Sequence, residues 1–176
     1  MIERRALPAP SGDLFLLSED TIRATVEASR DSSRRRMIQP FHRSEQDSLH
    51  RMFNAIQPDS YIRPHRHLDP PKAEAWIVLR GAVVFFTFEE DGAVRDCAEV
   101  HANGPVFGVD LVPGVFHTLI AAEPDTVVYE VKTGPYSAAN DKAFASFAPA
   151  EGTPEASQYL EHLRRESARR LQSRAM

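Results

Sequence analysis

Four residues of this sequence have the types and spacing to hold a metal ion: His65, His67, Glu74 and His117. The first two lie in the run Tyr61-Ile-Arg-Pro-His-Arg-His67. On an extended strand, residues two apart project from one face, so both imidazoles reach a single ion. A carboxylate and a third imidazole complete a mixed nitrogen and oxygen set suited to a divalent first-row metal. Fe, Mn, Ni, Co and Zn all fit, because affinity at such sites follows metal supply as much as ligand type. Asp69, in the same loop, is a competing carboxylate for the place of Glu74; without either, a three-histidine site remains.

Strand parity extends the site. Tyr61 and Arg63 share the parity of the histidines, so a strand over 61–67 predicts both beside the metal. Arg63 would orient an anionic group through its guanidinium fork. Tyr61 would serve as a hydrogen-bond donor or general acid, although ordinary core packing competes for it and for Trp76. His42, Trp76, Lys132 and Tyr136 are further pocket candidates, and Lys132 shares parity with Glu130, which predicts an ion pair. His50, among Leu49, Met52 and Phe53, reads as a structural histidine, and His101 and His162 as surface residues. Cys97 has no base beside it in sequence and reads as a surface or strand residue. Arg34-Arg-Arg36 reads either as a basic helix end favoured by the dipole or as an anion grip at the pocket mouth.

The elements that must position these residues are mostly short strands. Runs rich in Val, Ile, Phe and Tyr recur between Pro, Gly, Asp and Asn breaks over 49–56, 61–67, 73–79, 83–89, 94–100, 107–111, 118–121 and 126–132. This spacing predicts an all-β sandwich or barrel. Pro70-Pro71 turns the chain out of one strand, Glu74 opens the next, and Pro113-Gly114 delivers His117 onto another. Glu90-Asp-Gly92 is a hairpin signal. Ahead of the strands, Leu14–Leu17 predicts a short edge strand and Ser18-Glu-Asp20 starts a helix running to about residue 33. Behind them, Thr153 as cap and Pro154 in the first turn open a helix with Ala156, Tyr159, Leu160, Leu163 and Leu171 on one face and arginines, Arg174 included, on the other. That apolar stripe must pack on the barrel exterior or on a second subunit, and a homodimer is compatible with it.

Composition bounds the function. The 176 residues suffice for one domain with a proper core, and 42% hydrophobic with 26% charged content is that of a soluble globular chain. Net charge −4 argues against general nucleic-acid binding. A single cysteine excludes an internal disulfide framework. Met1-Ile-Glu-Arg-Arg-Ala lacks a signal-peptide hydrophobic run and no segment approaches the roughly 18 apolar residues of a membrane span. The expectation is a cytoplasmic protein with a small-molecule ligand.

The histidine motif resembles the first motif of the cupin superfamily, with Asp59 at the place of its first glycine, then His65, His67, Glu74 and Gly81. Six residues separate His67 from Glu74, against three or four in the family. The second motif is matched by Gly108, Pro113, Gly114 and His117, with Ala121 in place of its asparagine. Over about residues 20–140 the chain is similar to WbuC-type cupin metalloproteins, through Arg34-Arg-Arg36, Phe41-His42, Asp59 to His67, Gly81 and Glu130-Val-Lys-Thr-Gly-Pro-Tyr136. The resemblance implies a double-stranded β-helix over 37–137, flanked by an N-terminal helical segment, 1–36, and a C-terminal extension, 138–176. It also implies a divalent metal on His65, His67, Glu74 and His117, and a link to polysaccharide biosynthesis without an established reaction.

Two functions follow as expectations. One is a metal-dependent oxygenase, isomerase or lyase acting on a small polar or anionic, carbohydrate-related metabolite. The alternative is a non-catalytic, metal-dependent sugar or acid binding protein; a metal-free epimerase is a third possibility.

Overall fold

Period-two alternation of apolar residues makes each strand two-faced, and the chain buries both faces by shuttling between two sheets. The structure, a computed structural model, describes residues 4–175; residues 1–3 and 176 and the side chains of Arg174 and Ala175 lie outside the described residues. Helix α1 (Glu19–Asp31) is followed by β1 (Arg36–Pro40), β2 (Leu49–Ile56), β3 (His65–Arg66), β4 (Glu74–Arg80) and β5 (Ala82–Phe88). Then come β6 (Val94–His101), β7 (Gly108–Leu111), β8 (Phe116–Ala121), β9 (Thr126–Thr133), β10 (Ala143–Phe144) and helix α2 (Pro154–Ala175). One five-stranded antiparallel sheet has the order β1-β2-β9-β4-β7, the other β10-β3-β8-β5-β6. From β3 onward the chain crosses repeatedly from one sheet to the other, which is the winding of a double-stranded β-helix, or jelly roll.

Three apolar clusters hold the layers. Between the sheets lie Ile56, Trp76, Val78, Val83, Phe85, Leu111, Leu119 and Val128. Helix α1 covers the outer face of the first sheet, setting Ile22 and Val26 on Phe53, Ala55 and Val127. Its N-cap is Ser18, whose side chain accepts from the Thr21 amide at 3.3 Å. Helix α2 covers the outer face of the second sheet, where Ala156, Leu160 and Leu163 meet Val84, Phe86, Phe88, Phe116, Ile120 and the buried Cys97. The doubled aromatic Phe85-Phe86 thus splits between lumen and helix contact, and the stripe of α2 is occupied by its own barrel. At the β4–β5 corner Gly81 has φ +70°, and a Cβ there would stand 2.5 Å from Thr126 Oγ1, so a side chain is excluded.

Several local expectations are corrected. Leu14–Leu17 is exposed and irregular; the free edge of β1 is instead bridged by Ala6 opposite Ile38, with the Leu7 amide donating to the Ile38 carbonyl at 2.8 Å. The strand expected over 61–67 contracts to His65–Arg66, because Pro64 has no ladder N–H and the Ile62 and Pro64 carbonyls go to Thr118 Oγ1 and the Ala145 amide. Strands β1 and β10 carried no sequence signal: β1 begins inside the arginine run and ends on Pro40, and β10 is two residues long. The arginine run lies beyond the end of α1 and grips no mouth. Arg36 is buried on Glu151 at 2.6 Å and the Tyr61 carbonyl at 2.8 Å, Arg34 lies 3.7 Å from Glu151, and Arg35 pairs with Asp59 at 3.0 Å. Thr153 precedes α2 but turns its hydroxyl to the Ala150 carbonyl. Among the described residues no helix is long and apolar enough to cross a membrane.

Leu163 is fully buried between α2 and the second sheet. A Leu163→Ala variant is expected to lose about 2–5 kcal/mol of stability, read as a lower urea midpoint. Metal binding should survive under native conditions, since this contact lies on the face of the sheet opposite the lumen.

Candidate metal centre

Three segments distant in sequence converge at one end of the lumen. His65 pairs directly with His117 across β3 and β8, His67 follows β3, and Glu74 opens β4. All four are buried, none more than 5% exposed. The candidate ligand atoms of His65, His67 and His117 lie within 4.8 Å of one another. The Glu74 carboxylate reaches toward two of them, Oε1 at 3.2 Å from His67 Nε2 and Oε2 at 3.0 Å from His117 Nε2. Asp69 is exposed in the preceding turn, so Glu74 and not Asp69 is the carboxylate brought to the histidines.

Backbone carbonyls set the protonation of the rings. His65 Nδ1 lies 2.9 Å from the Arg63 carbonyl, His117 Nδ1 2.9 Å from the Val115 carbonyl, and His67 Nδ1 is bonded to the Asp141 carbonyl. A carbonyl only accepts, so each Nδ1 carries the proton and each Nε2 presents a lone pair to the centre. His67 Nε2, His117 Nε2 and Glu74 Oε2 are buried and make no hydrogen bond of good geometry. Nitrogen lone pairs and carboxylate oxygens facing one another repel unless a cation lies among them. The residues present therefore fit a divalent metal ion, with the carbonyl-held Nδ1 protons orienting the rings.

Electrostatics agree. Burial pushes the His65 imidazole well below its usual range, with Lys142 and His117 adding to the effect, so His65 is neutral and free to ligate. Burial opposes ionisation of Glu74, but in the metal-free protein a proton taken up between its oxygens and the Nε2 atoms of His117 and His67 supplies the hydrogen bond and charge that outweigh burial and hold the carboxyl far below the usual range. The walls around the centre are aromatic: Trp76 lies 5.4 Å and Phe85 5.9 Å from His117, ring centre to ring centre, the latter stacked.

A chain of buried charges adjoins the ligands. Lys132 is the register partner of both Glu74 on β4 and His50 on β2, so the three stand in a row on the inner face of one sheet. Its ammonium lies 3.7 Å from Glu130, as parity predicted, and 3.5 Å from Asp141. Asn54 donates to Glu130 at 2.7 Å, and Lys72 to Asp141 at 2.6 Å and the Pro135 carbonyl at 2.5 Å. Asp141 belongs to a strap that closes over β3, where Phe144 pairs with His65 and Ala143 with Arg66. Sequence reasoning missed Asp141, Lys72 and Asn54, since each lies in a polar or mixed stretch with no motif around it.

Other candidates lie elsewhere. The Tyr61 hydroxyl donates to the Pro149 carbonyl at 2.9 Å and its ring meets Tyr159 edge-on beneath α2. Arg63 donates to the Ala145 carbonyl at 2.8 Å and lies over the Phe144 ring, pinning the strap. With no strand over 61–64, the parity that placed both beside the metal does not apply. His42 stacks on His50 at 4.0 Å with its Nδ1 at 3.1 Å from the Arg51 carbonyl, and Tyr136 is half-buried with its amide on the Glu45 carbonyl. His162 is exposed and His101 pairs with Glu123 at 3.1 Å.

A family model described as "Domain of unknown function (DUF6016)" matches residues 17–100. No curated protein matches the sequence. Similar solved structures include oxalate decarboxylase from Bacillus subtilis at pH 4.6, with 16% identity, TM-score 0.45, and 56% of this chain and 24% of that chain covered. The formate complex of oxalate decarboxylase from Lactobacillus farciminis has 15% identity, TM-score 0.43, and 57% and 28% coverage. The chain thus spans about a quarter of the length of those proteins.

The two shifted groups set a pH dependence for the metal-free protein. The folded state resists protonating His65, so below its ordinary value of 6.5 the unfolded chain takes up the proton and stability falls with falling pH. Glu74 acts in the same direction below its ordinary value of 4.5, where the unfolded carboxylate protonates first. Urea midpoints are expected to hold between pH 8 and 7 and to drop from pH 6.5 to 5, by up to about 1.4 kcal/mol per pH unit for one group. A midpoint that rises on acidification would contradict the neutral, buried His65.

Proposed function

We propose that the protein is a metal-binding cupin in which His65, His67, Glu74 and His117 hold one divalent transition metal that receives a small polar or anionic metabolite. The observation that carries this reading is the set of buried acceptor atoms with no hydrogen-bond partner, His67 Nε2, His117 Nε2 and Glu74 Oε2, facing one another beside His65. A carbohydrate-related ligand and a role in surface-polysaccharide biosynthesis rest on the motif similarity alone. When bound, a divalent ion supplies Lewis acidity toward a ligand oxygen. The chain's own residues orient the imidazoles through the Arg63, Val115 and Asp141 carbonyls, offset one positive charge through Glu74, and exclude water with Trp76 and Phe85.

A second reading, a binding protein without turnover, is favoured by one observation. Tyr61 and Arg63, the acid and anion-orienting groups expected beside the metal, are tied to Pro149 and Ala145.

Elemental analysis of the purified protein is expected to find about one equivalent of a first-row metal. His65→Ala and His117→Ala should each lose most of it, while Glu74→Gln weakens affinity by about 10–100-fold. Equal metal content in wild type and both histidine variants would refute the site. Dioxygen uptake or conversion of added sugars and organic acids by the metal-loaded protein then separates enzyme from binder.

A further inference from the structure

Lys132 is an under-bonded ammonium inside the barrel. It is 8% exposed, yet among the described residues it makes a single hydrogen bond, to Asp141 at the 3.5 Å limit, and its other ion pair, to Glu130, is longer at 3.7 Å. An ammonium has three donors, so at least two are uncommitted. Its neighbour Lys72 is the contrast: also buried, it is bonded at 2.6 and 2.5 Å. The loose fit is not a shortage of acceptors, since Glu130 turns its other oxygen to Asn54 at 2.7 Å and Asp141 turns its own to Lys72. Lys132 also stands beside Glu74 in register, so its head group and the metal ligands share one wall of the lumen.

Charge completes the argument. Glu74, Glu130 and Asp141 oppose Lys72 and Lys132 in the buried or nearly buried cluster, and Lys142 on the strap, whose charge reaches Lys132, Glu130 and Glu74, balances the third carboxylate. A divalent ion on the histidines and Glu74 makes this cluster net positive, which favours an anion over a neutral ligand. Among the described residues no arginine fork joins the cluster, which disfavours a phosphate dianion. Trp76, Phe85 and Leu111 offer apolar surface next to the ligands.

We propose that Lys132 is the anion anchor of the lumen and that the ligand is a small monocarboxylate, held between the metal and the Lys132 ammonium with its apolar body against Trp76 and Phe85. This rests on the metal reading above. The test uses full-length protein loaded with Co(II), whose visible absorption reports on ligands entering the coordination sphere, titrated with acetate, its neutral isostere acetamide, and inorganic phosphate. Acetate is expected to change the spectrum saturably, with acetamide and phosphate at least tenfold weaker. Lys132→Met should weaken acetate at least tenfold while leaving Co(II) affinity within threefold, and Lys132→Arg should retain most of the acetate response. Acetamide or phosphate binding as tightly as acetate, or a Lys132→Met protein that binds acetate like wild type, overturns the assignment. The wild-type comparison of acetate with acetamide stands even if Lys132→Met fails to fold. Wild-type protein that takes up no cobalt at all overturns the metal reading instead, and is recognised before any anion is added.

Discussion

Mutual repulsion among buried acceptors is the constraint on which the rest of this structure turns. Three imidazole lone pairs and a carboxylate are brought together in a region almost closed to water, at a cost that only a cation or an added proton relieves. Keeping them there requires rigid elements on every side. His65 and His117 are locked as opposite residues of one ladder, and Glu74 is held on the facing sheet by strands on both sides. The two helices contribute from outside, by burying the outer faces of the sheets whose inner faces carry the ligands. A jelly roll suits this task because inward residues of both sheets meet across a narrow lumen.

The ligand rings are oriented by backbone and not by side chains. Arg63, Val115 and Asp141 each present a carbonyl to a ring Nδ1, so those side chains are free for other work. Arg63 and Asp141 use that freedom on the strap after β9. The Arg63 guanidinium grips Ala145 and Phe144, while the Asp141 carboxylate draws in Lys72 and Lys132. The strap thereby links the candidate metal ligands to the charged row on the inner sheet face. A change in the strap would be felt in both, because Asp141 touches His67 through its backbone and Lys132 through its side chain.

Much of the barrel was legible from alternation and turn residues. Seven of the strands expected from apolar runs match observed strands to within about two residues, and both helices start at the expected places. Strands without a pattern of their own escaped: β1 and β10 exist because a neighbouring edge offered hydrogen bonds. The same dependence on partners undid the reading of Tyr61 and Arg63. Their parity with the histidines is real in sequence, but the chain there is not paired as a strand, so alternation does not govern where they point.

By itself, the sequence marked out three candidate histidines, since His65, His67 and His117 are chemically fit for one ion and carried by segments whose turns allow them to meet. It also determined the pairing of Lys132 with Glu130, because parity on a true strand survives folding. Only the tertiary structure decided between Glu74 and Asp69, placed the arginine run in a clamp on Glu151, and brought Lys72, Asn54 and Asp141 into the lumen. Those outcomes depend on which strand ends lie side by side across two sheets. Such juxtapositions between residues tens of positions apart leave no local periodicity to read.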